Sequence, residues 1–554
     1  MATTGILRSR RSAAQLHAIA SVEREIRTID PAAGRKYLRD FREAYTSYQK
    51  LLATIDVRRE IAKAGTVLVG DYHALPNSQR YIASLLRDYD FHQRPVALGL
   101  ETIFSRDQHI LNEWCAGEID ENELRQRIRF DLDWGYDWAP FYELLSTARD
   151  RRAFIYGLDC MPREDLRKIG ARDRHASDKI AEIRRRHADA LILVLFGESH
   201  LAPQHLPAVL RQRLPAESIL TVLQNVDALY WHAAGEARDH VDAVEVRENV
   251  LCVFNATPLE KYENYRLCLD RWGRNDNSAP DLGPTLYNLI DGMVRFLGIN
   301  QYSPHNTTQP RLLVDLMPEV YSRSSDALLR RLLSRKGFTA DERRSLLRRV
   351  RDRGSVYLAP INAIYVRQFH MGSSAEEATR FLHQACRGLP NRCNGKSAAQ
   401  LNPAVMGPPA KNKNEDDAFF IAVLEHALAF FGSRILYPAR RAVRDEDIAE
   451  LFDVTREDLE QQTALPFADA VEALDFLTEH RSRDLSAALQ APPFTDRKYD
   501  YVAGQLGYLA GNDLYDAYIG GRITTAALRK LFLSHIEQPG AAREGYLQLR
   551  TRLR

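Results

Sequence analysis

Six short apolar runs, at residues 66–69, 96–100, 153–156, 191–196, 219–222 and 250–254, alternate with spans of helical periodicity through the first half of the chain. Runs this brief and this continuously apolar read as strands buried on both faces, in a parallel sheet whose crossovers are helices. The expected fold is α/β, a mostly parallel sheet with flanking helices, followed by a mainly helical C-terminal region. In an open parallel sheet the loops after the strands share one edge, so residues distant in sequence can meet there.

The residues just after three of these runs carry chemistry. The first run leads into Gly70-Asp71-Tyr72-His73, the fourth into Gly197-Glu198-Ser199-His200, and the second into Glu101. Two histidines and up to three carboxylates, Asp71, Glu101 and Glu198, are therefore expected in one crevice. A single Gly-x-x-His tetrad arises by chance in many chains. Two copies after strands, with a carboxylate after a third, weigh against histidines that only hydrogen-bond a loop. Neutral imidazoles of His73 and His200 with the Glu101 carboxylate would make a two-histidine, one-carboxylate set for a divalent metal ion, open to water or substrate. Without metal, a histidine held by Asp71 or Glu198 can act as general base on a water.

Length and charge bound the alternatives. A chain of 554 residues suggests two or three domains, and 76 basic against 74 acidic residues leave a net charge of +2, so no overall field argues for nucleic acid. The six cysteines form no Cys-x-x-Cys pair and read as reduced core thiols. No apolar run of signal length follows the N-terminal charges, and the longest apolar windows, 190–196 and 419–431, are too short or too interrupted to span a bilayer. A cytoplasmic protein without a membrane partner is expected.

The expected organisation is a helical hairpin over 1–62, the α/β domain over 63–272, a helical domain over 285–393 and a second over 416–554. A Gly-, Pro-, Asn- and Asp-rich stretch at 273–284 separates the halves, and 394–415 reads as a long loop. From Arg323 to Arg353 eleven Lys or Arg residues face four Asp or Glu, on two helical patterns about Lys336-Gly337-Phe338, with a capping box from Thr339 to Glu342. A β-hairpin over 356–366 comes next, which is the element order of a winged helix. A solvated arginine-rich face beside Leu329, Leu332, Leu333, Leu346 and Leu347 explains the segment more simply, since nothing specifies base contacts. Glu376, Glu377, His383 and Glu425-His426 could form a helical-bundle metal site, but lack Glu-x-x-His spacing, so core histidines and exposed glutamates are the expectation.

The order Gly-x-x-His, then Gly99-Leu100-Glu101, then Trp134-Gly135-Tyr136 with Tyr142, then Gly197-Glu198-Ser199-His200 resembles the ChaN-like haem-binding proteins. These share a superfamily with the Tiki and TraB-type metalloproteases and the erythromycin esterases. The resemblance covers about 62–255 and adds Arg172-Asp173, similar to an Arg-Asp element that esterase relatives carry on a helix. Asp71 stands where many relatives have Glu.

The resemblance implies a haem- or metal-ion-binding protein. Tyr72 or a histidine would be the axial ligand, and Trp134 and Tyr136 would wall an apolar slot; the run Trp134, Tyr136, Trp138, Phe141 and Tyr142 is equally a helix start packed on the sheet. The competing implication is a metal-dependent or histidine-based esterase or peptidase that uses His73, Glu101, Glu198 and His200, with Arg172 stabilising an anionic intermediate. The third reading is an interaction module working through the arginine-rich helices. Haem or another small molecule is the expected partner, and self-association is left open.

Overall fold

The structure of the protein, a computed structural model, describes residues 10–30, 36–88, 94–161, 169–236, 241–274, 280–299, 317–322, 325–334, 338–387, 415–482, 496–534, 536 and 538–553. Two compact units result, with Val22–Asn277 in the first and Ser9–Ser21 together with Ser278–Arg554 in the second. The expected loop at 394–415 lies outside the described residues except for Glu415.

The first unit is built on eight strands: β1 (Lys50–Leu52), β2 (Thr66–Asp71), β3 (Val96–Phe104), β4 (Phe154–Asp159), β5 (Leu191–Gly197), β6 (Ile219–Gln224), β7 (Ala243–Arg247) and β8 (Val250–Val253), in the order β1-β7-β8-β6-β2-β5-β3-β4. Every pair from β8 to β4 is parallel, while β7 runs antiparallel to both β8 and β1. All six apolar runs are strands. β2, β5 and β6 are buried along their whole length, as continuous apolar sequence demands when helices cover both faces. β1 and β7 went unread because they are short and partly polar. The helical hairpin expected over 1–62 is interrupted by β1, where pairing with β7 outweighs local propensity.

β2, β5 and β3 are neighbours at the centre, with Asp71 beside Gly197 and Leu100 beside Leu195. Their carboxyl ends therefore open on one edge. Between β3 and β4 the register shifts: Leu100 pairs with Gly157 and Phe104 with Asp159, so Glu101, Thr102 and Ile103 stand opposite a single residue. Such a bulge re-aims side chains. Gly157 is what allows it, since a Cβ there would lie 2.7 Å from the Phe104 carbonyl oxygen and 2.8 Å from that of Ile103. Gly157→Ala is expected to destabilise the first unit by about 1–3 kcal/mol through forced backbone movement. Denaturant unfolding checks this, and a change within about 0.5 kcal/mol would show that the bulge has room.

In the second unit the apolar helix Glu415–Leu436 forms the centre. Its 417–436 stretch is long and apolar enough to cross a membrane by composition, but it is mostly buried inside the protein, as in a core helix. The arginine-rich segment folds as helices Asp326–Leu333 and Ala340–Arg353, the second opened by the Thr339–Glu342 capping box. β10 (Ser355–Leu358) and β11 (Ala363–Val366) form the hairpin, and β9 (Glu319–Ser322) joins it parallel to β11. Leu329, Leu332 and Leu333 pack with Val350, Val356 and Tyr365 in one core. Glu376 and Glu377 correct the expectation of exposed glutamates: both are buried against arginines.

Candidate functional site

Each expected histidine is held by its own aspartate. His73 follows β2 and places Nδ1 2.8 Å from Asp71 Oδ2, while Asp71 Oδ1 also accepts from the Gln79 amide. His200 lies on the 3-10 turn Glu198–Leu201 after β5, with Nδ1 2.5 Å from Asp173 Oδ1; the other Asp173 oxygen accepts from the Tyr37 hydroxyl at 3.0 Å. A carboxylate on Nδ1 fixes the tautomer and leaves Nε2 as the reactive nitrogen. Both Nε2 atoms face Glu101, His73 at 3.8 Å from Oε2 and His200 at 3.9 Å from Oε1. The three residues expected to converge from separate strands do so. They differ in access, since the His73 side chain is 21% exposed and that of His200 only 4%.

Glu101 is buried and fully engaged. Arg172 donates to its Oε1 and the Gly197 amide to its Oε2, each at 2.5 Å. Burial raises its pKa, but His73, Arg172, His200 and the Gly197 amide together outweigh burial and hold it at about 2, against an ordinary 4.5. Arg172 also donates to both oxygens of Asp159, at 2.8 and 3.0 Å. The expectation that Arg172 meets a reaction intermediate is corrected, because its guanidinium is buried and spent on Glu101 and Asp159, which makes it the clamp on Glu101. Neighbours one residue apart on the helix Ile169–Arg186 thus serve different partners, Arg172 the glutamate and Asp173 the histidine.

Glu198 departs from expectation too. In a 3-10 turn residues two apart point about 120° from one another, so Glu198 and His200 cannot face one ligand. Glu198 turns instead to Lys261, whose Nζ lies 3.1 and 3.2 Å from its two oxygens and 3.7 Å from Asp227. Burial raises the pKa of Glu198, as it does that of Asp71, against the pull of Lys261 and His73 respectively.

An aromatic circuit runs beside His73. Its ring lies 4.4 Å from Trp134 and 5.3 Å from Tyr136; Tyr136 meets Trp272 at 5.2 Å, Trp272 meets Tyr265 at 6.2 Å, and Tyr265 meets Tyr72 at 6.1 Å. The Lys261 ammonium sits 4.4 Å from the centre of the Tyr72 ring. Gly135, at φ +74°, makes the turn that brings Trp134 and Tyr136 onto one histidine, and its carbonyl accepts from the Trp272 indole. Trp134, Trp138 and Phe141 all belong to the core under the sheet, with Tyr136 and Tyr142 packed against it. Lys261, Tyr265 and Trp272, on the helix Pro258–Gly273 after β8, were not singled out in the sequence, although their spacing of four and seven residues puts them on one face.

Residues 57–192 match the family described as haem-binding uptake, Tiki superfamily, ChaN, so the N-terminal half carries a ChaN/Tiki superfamily domain. The match includes His73, Glu101 and Arg172 and ends before His200. No curated protein matches the chain. Among solved structures it is similar to ChaN of Campylobacter jejuni, described with cofacial haem binding, at 16% identity over 32% of this chain and 88% of that one, with a TM-score of 0.26. It is also similar to the type III effector HopBA1, at 14% identity over 35% and 90%, with a TM-score of 0.25. A third is the C-terminal region of Pasteurella multocida toxin, described with a thiol-protease-like catalytic triad, at 14% identity over 39% and 30%, with a TM-score of 0.26.

The site fits haem in part. The Trp134 and Tyr136 wall beside His73 suits a porphyrin face, but Arg172 and Lys261, the cations that propionates would need, are each held by two carboxylates. Burial first, then the negative charge of Glu198, also raises the Tyr72 pKa well above its ordinary value, which opposes a tyrosinate ligand. A divalent ion fits less well. Among the described residues no group of three or more His, Cys, Asp or Glu is arranged to hold one. The expected set of His73, Glu101 and His200 fails because both Glu101 oxygens already accept hydrogen bonds and the Arg172 cation occupies one of them.

Proposed function

We propose that the crevice at the carboxyl edge of the first unit's sheet is a histidine-based hydrolytic site for an ester or peptide bond in an apolar or aromatic small molecule. One observation carries this reading: two imidazoles, each fixed through Nδ1 by a buried aspartate, direct Nε2 toward a glutamate that Arg172 clamps. His73, the more exposed, takes a proton from water at Nε2 as that water attacks the carbonyl carbon, Asp71 stabilises the imidazolium that forms, and the imidazolium returns the proton to the alcohol or amine as its bond to that carbon breaks. The aromatic circuit selects the substrate and lowers the local dielectric.

The test is hydrolysis of p-nitrophenyl acetate and longer aromatic esters by the full chain in the presence of EDTA. Saturable turnover that EDTA leaves unchanged supports the reading, whereas turnover that EDTA abolishes and zinc or manganese restores would replace it with a metal-dependent one.

The aromatic wall favours a second reading, haem bound against Trp134 and Tyr136 with His73 or Tyr72 as axial ligand. It would appear as a saturable Soret shift that weakens in Tyr72→Phe or His73→Ala, because the axial ligand tunes the iron directly.

A further inference from the structure

The second unit buries a charge cluster that the hydrolytic site does not use. On the helix Met371–Arg387, Glu376 accepts from Arg380 at 3.1 Å, Arg353 at 3.2 Å, Arg440 at 2.6 Å and the Tyr508 hydroxyl at 2.8 Å. Glu377 accepts from Arg349 and from the Tyr357 amide, both at 2.8 Å. Four guanidinium groups thus converge on two carboxylates.

An ion-pair network that only holds a fold together has to balance, because an uncompensated buried charge is strongly unfavourable. Here four positive charges meet two negative ones, an excess of two within the bonded cluster. Glu425, which accepts from Gln384, and the exposed Asp352 offset part of it at Arg380 and Arg353. Against burial, the carboxylates raise the guanidinium pKa values of Arg353 and Arg380, and the excess is felt at Arg349 and His426. Burial first, then repulsion by Arg380 and Arg353, lowers the Arg349 guanidinium below its ordinary value despite Glu377. Burial and the same arginines push the His426 imidazole well down, and its Nδ1 lies 3.3 Å from Arg380.

Donor capacity is also unspent. The Nε atoms of Arg349 and Arg380 are buried without a hydrogen bond, that of Arg380 lying 3.4 Å from Glu377 as an ion pair. The side chains of Arg349 and Arg353 are 23% and 31% exposed while that of Arg380 is 9% exposed, so the cluster opens at one end and is recessed at the other.

We propose that this cluster binds the phosphate group of a compact, multiply charged phosphorylated molecule. A phosphomonoester carries about −1.5 to −2 charges at neutral pH, opposite in sign to the excess that the carboxylates leave. Guanidinium forks fit phosphate oxygens two at a time.

The test titrates the full chain with inorganic phosphate, pyrophosphate and vesicles containing phosphatidic acid, against chloride at equal ionic strength, by calorimetry and thermal unfolding. Pyrophosphate is expected to bind saturably and raise the unfolding midpoint. Arg349→Gln with Arg353→Gln should weaken binding by at least about ten-fold. In phosphate-free buffer that variant should not unfold earlier, since Glu376 keeps Arg380 and Arg440, Glu377 keeps Arg380 and the Tyr357 amide, and repulsion is relieved. Arginine-dependent binding to the vesicles alone would keep the site and assign its phosphate to a lipid headgroup. Pyrophosphate no more effective than chloride, together with no vesicle binding, overturns the proposal. So does a double variant that lowers the phosphate-free midpoint while anion affinity is unchanged, or arginine-dependent binding of duplex DNA without binding of pyrophosphate.

Discussion

Replacing Arg172 with glutamine is expected to destabilise the first unit by about 3–5 kcal/mol, because removing one partner of a buried ion network strands the other charges. Glu101 and Asp159 are 3% and 1% exposed, and Arg172 is the cation bonded to both. For a unit of roughly this size each kcal/mol moves the midpoint by about 2–4 °C, so a fall on the order of 10 °C should appear in thermal unfolding. The pH dependence comes from Glu101. Its folded pKa, about 2, lies below the ordinary 4.5, so its contribution to stability is fully present above 4.5 and disappears as pH falls toward 2. The gap between wild type and Arg172→Gln should therefore be widest near neutrality and close in strong acid. A gap under about 1 kcal/mol at pH 7 would mean that water has replaced the guanidinium and that the network is softer than its burial implies.

His73→Asn is expected to lower hydrolytic turnover by about 10²–10⁴-fold with little change in KM, the range that loss of a general base produces. Asp71→Asn should approach the same loss although the histidine remains. The aspartate holds Nδ1–H and so keeps the Nε2 lone pair available, whereas the amide can donate to Nδ1 and select the wrong tautomer. The matched variant Asp173→Asn should cost less, since His200 is far more buried than His73 and its dyad supports Glu101 from below. Steady-state kinetics on the best ester substrate decide the assignment. If Asp173→Asn and His200→Asn lose turnover while the His73 and Asp71 variants keep it, the roles of the two histidines are exchanged; if all four retain it, the chemistry lies elsewhere.

The sequence by itself determined the class of the first unit and the place of its site. Continuous apolar runs can be satisfied only with both faces covered, and parallel strands bring Asp71, Glu101 and Gly197 to one edge whatever lies between them. His73 and His200 were legible for that reason, as was the capping box at Thr339. Tertiary structure alone decided how those residues are used. Asp173, not Glu198, holds His200, because a 3-10 turn points residues 198 and 200 apart and the neighbouring helix supplies an acid from elsewhere in the chain. Arg172 became a clamp when the β3 bulge carried Glu101 to it. Trp272, Tyr265 and Lys261 reached the crevice on a helix whose pattern reads as ordinary packing. Glu376 and Glu377, polar by type and expected outside, are buried because arginines from separate segments meet them. Such pairings depend on distances between elements, and local periodicity carries no information about those distances.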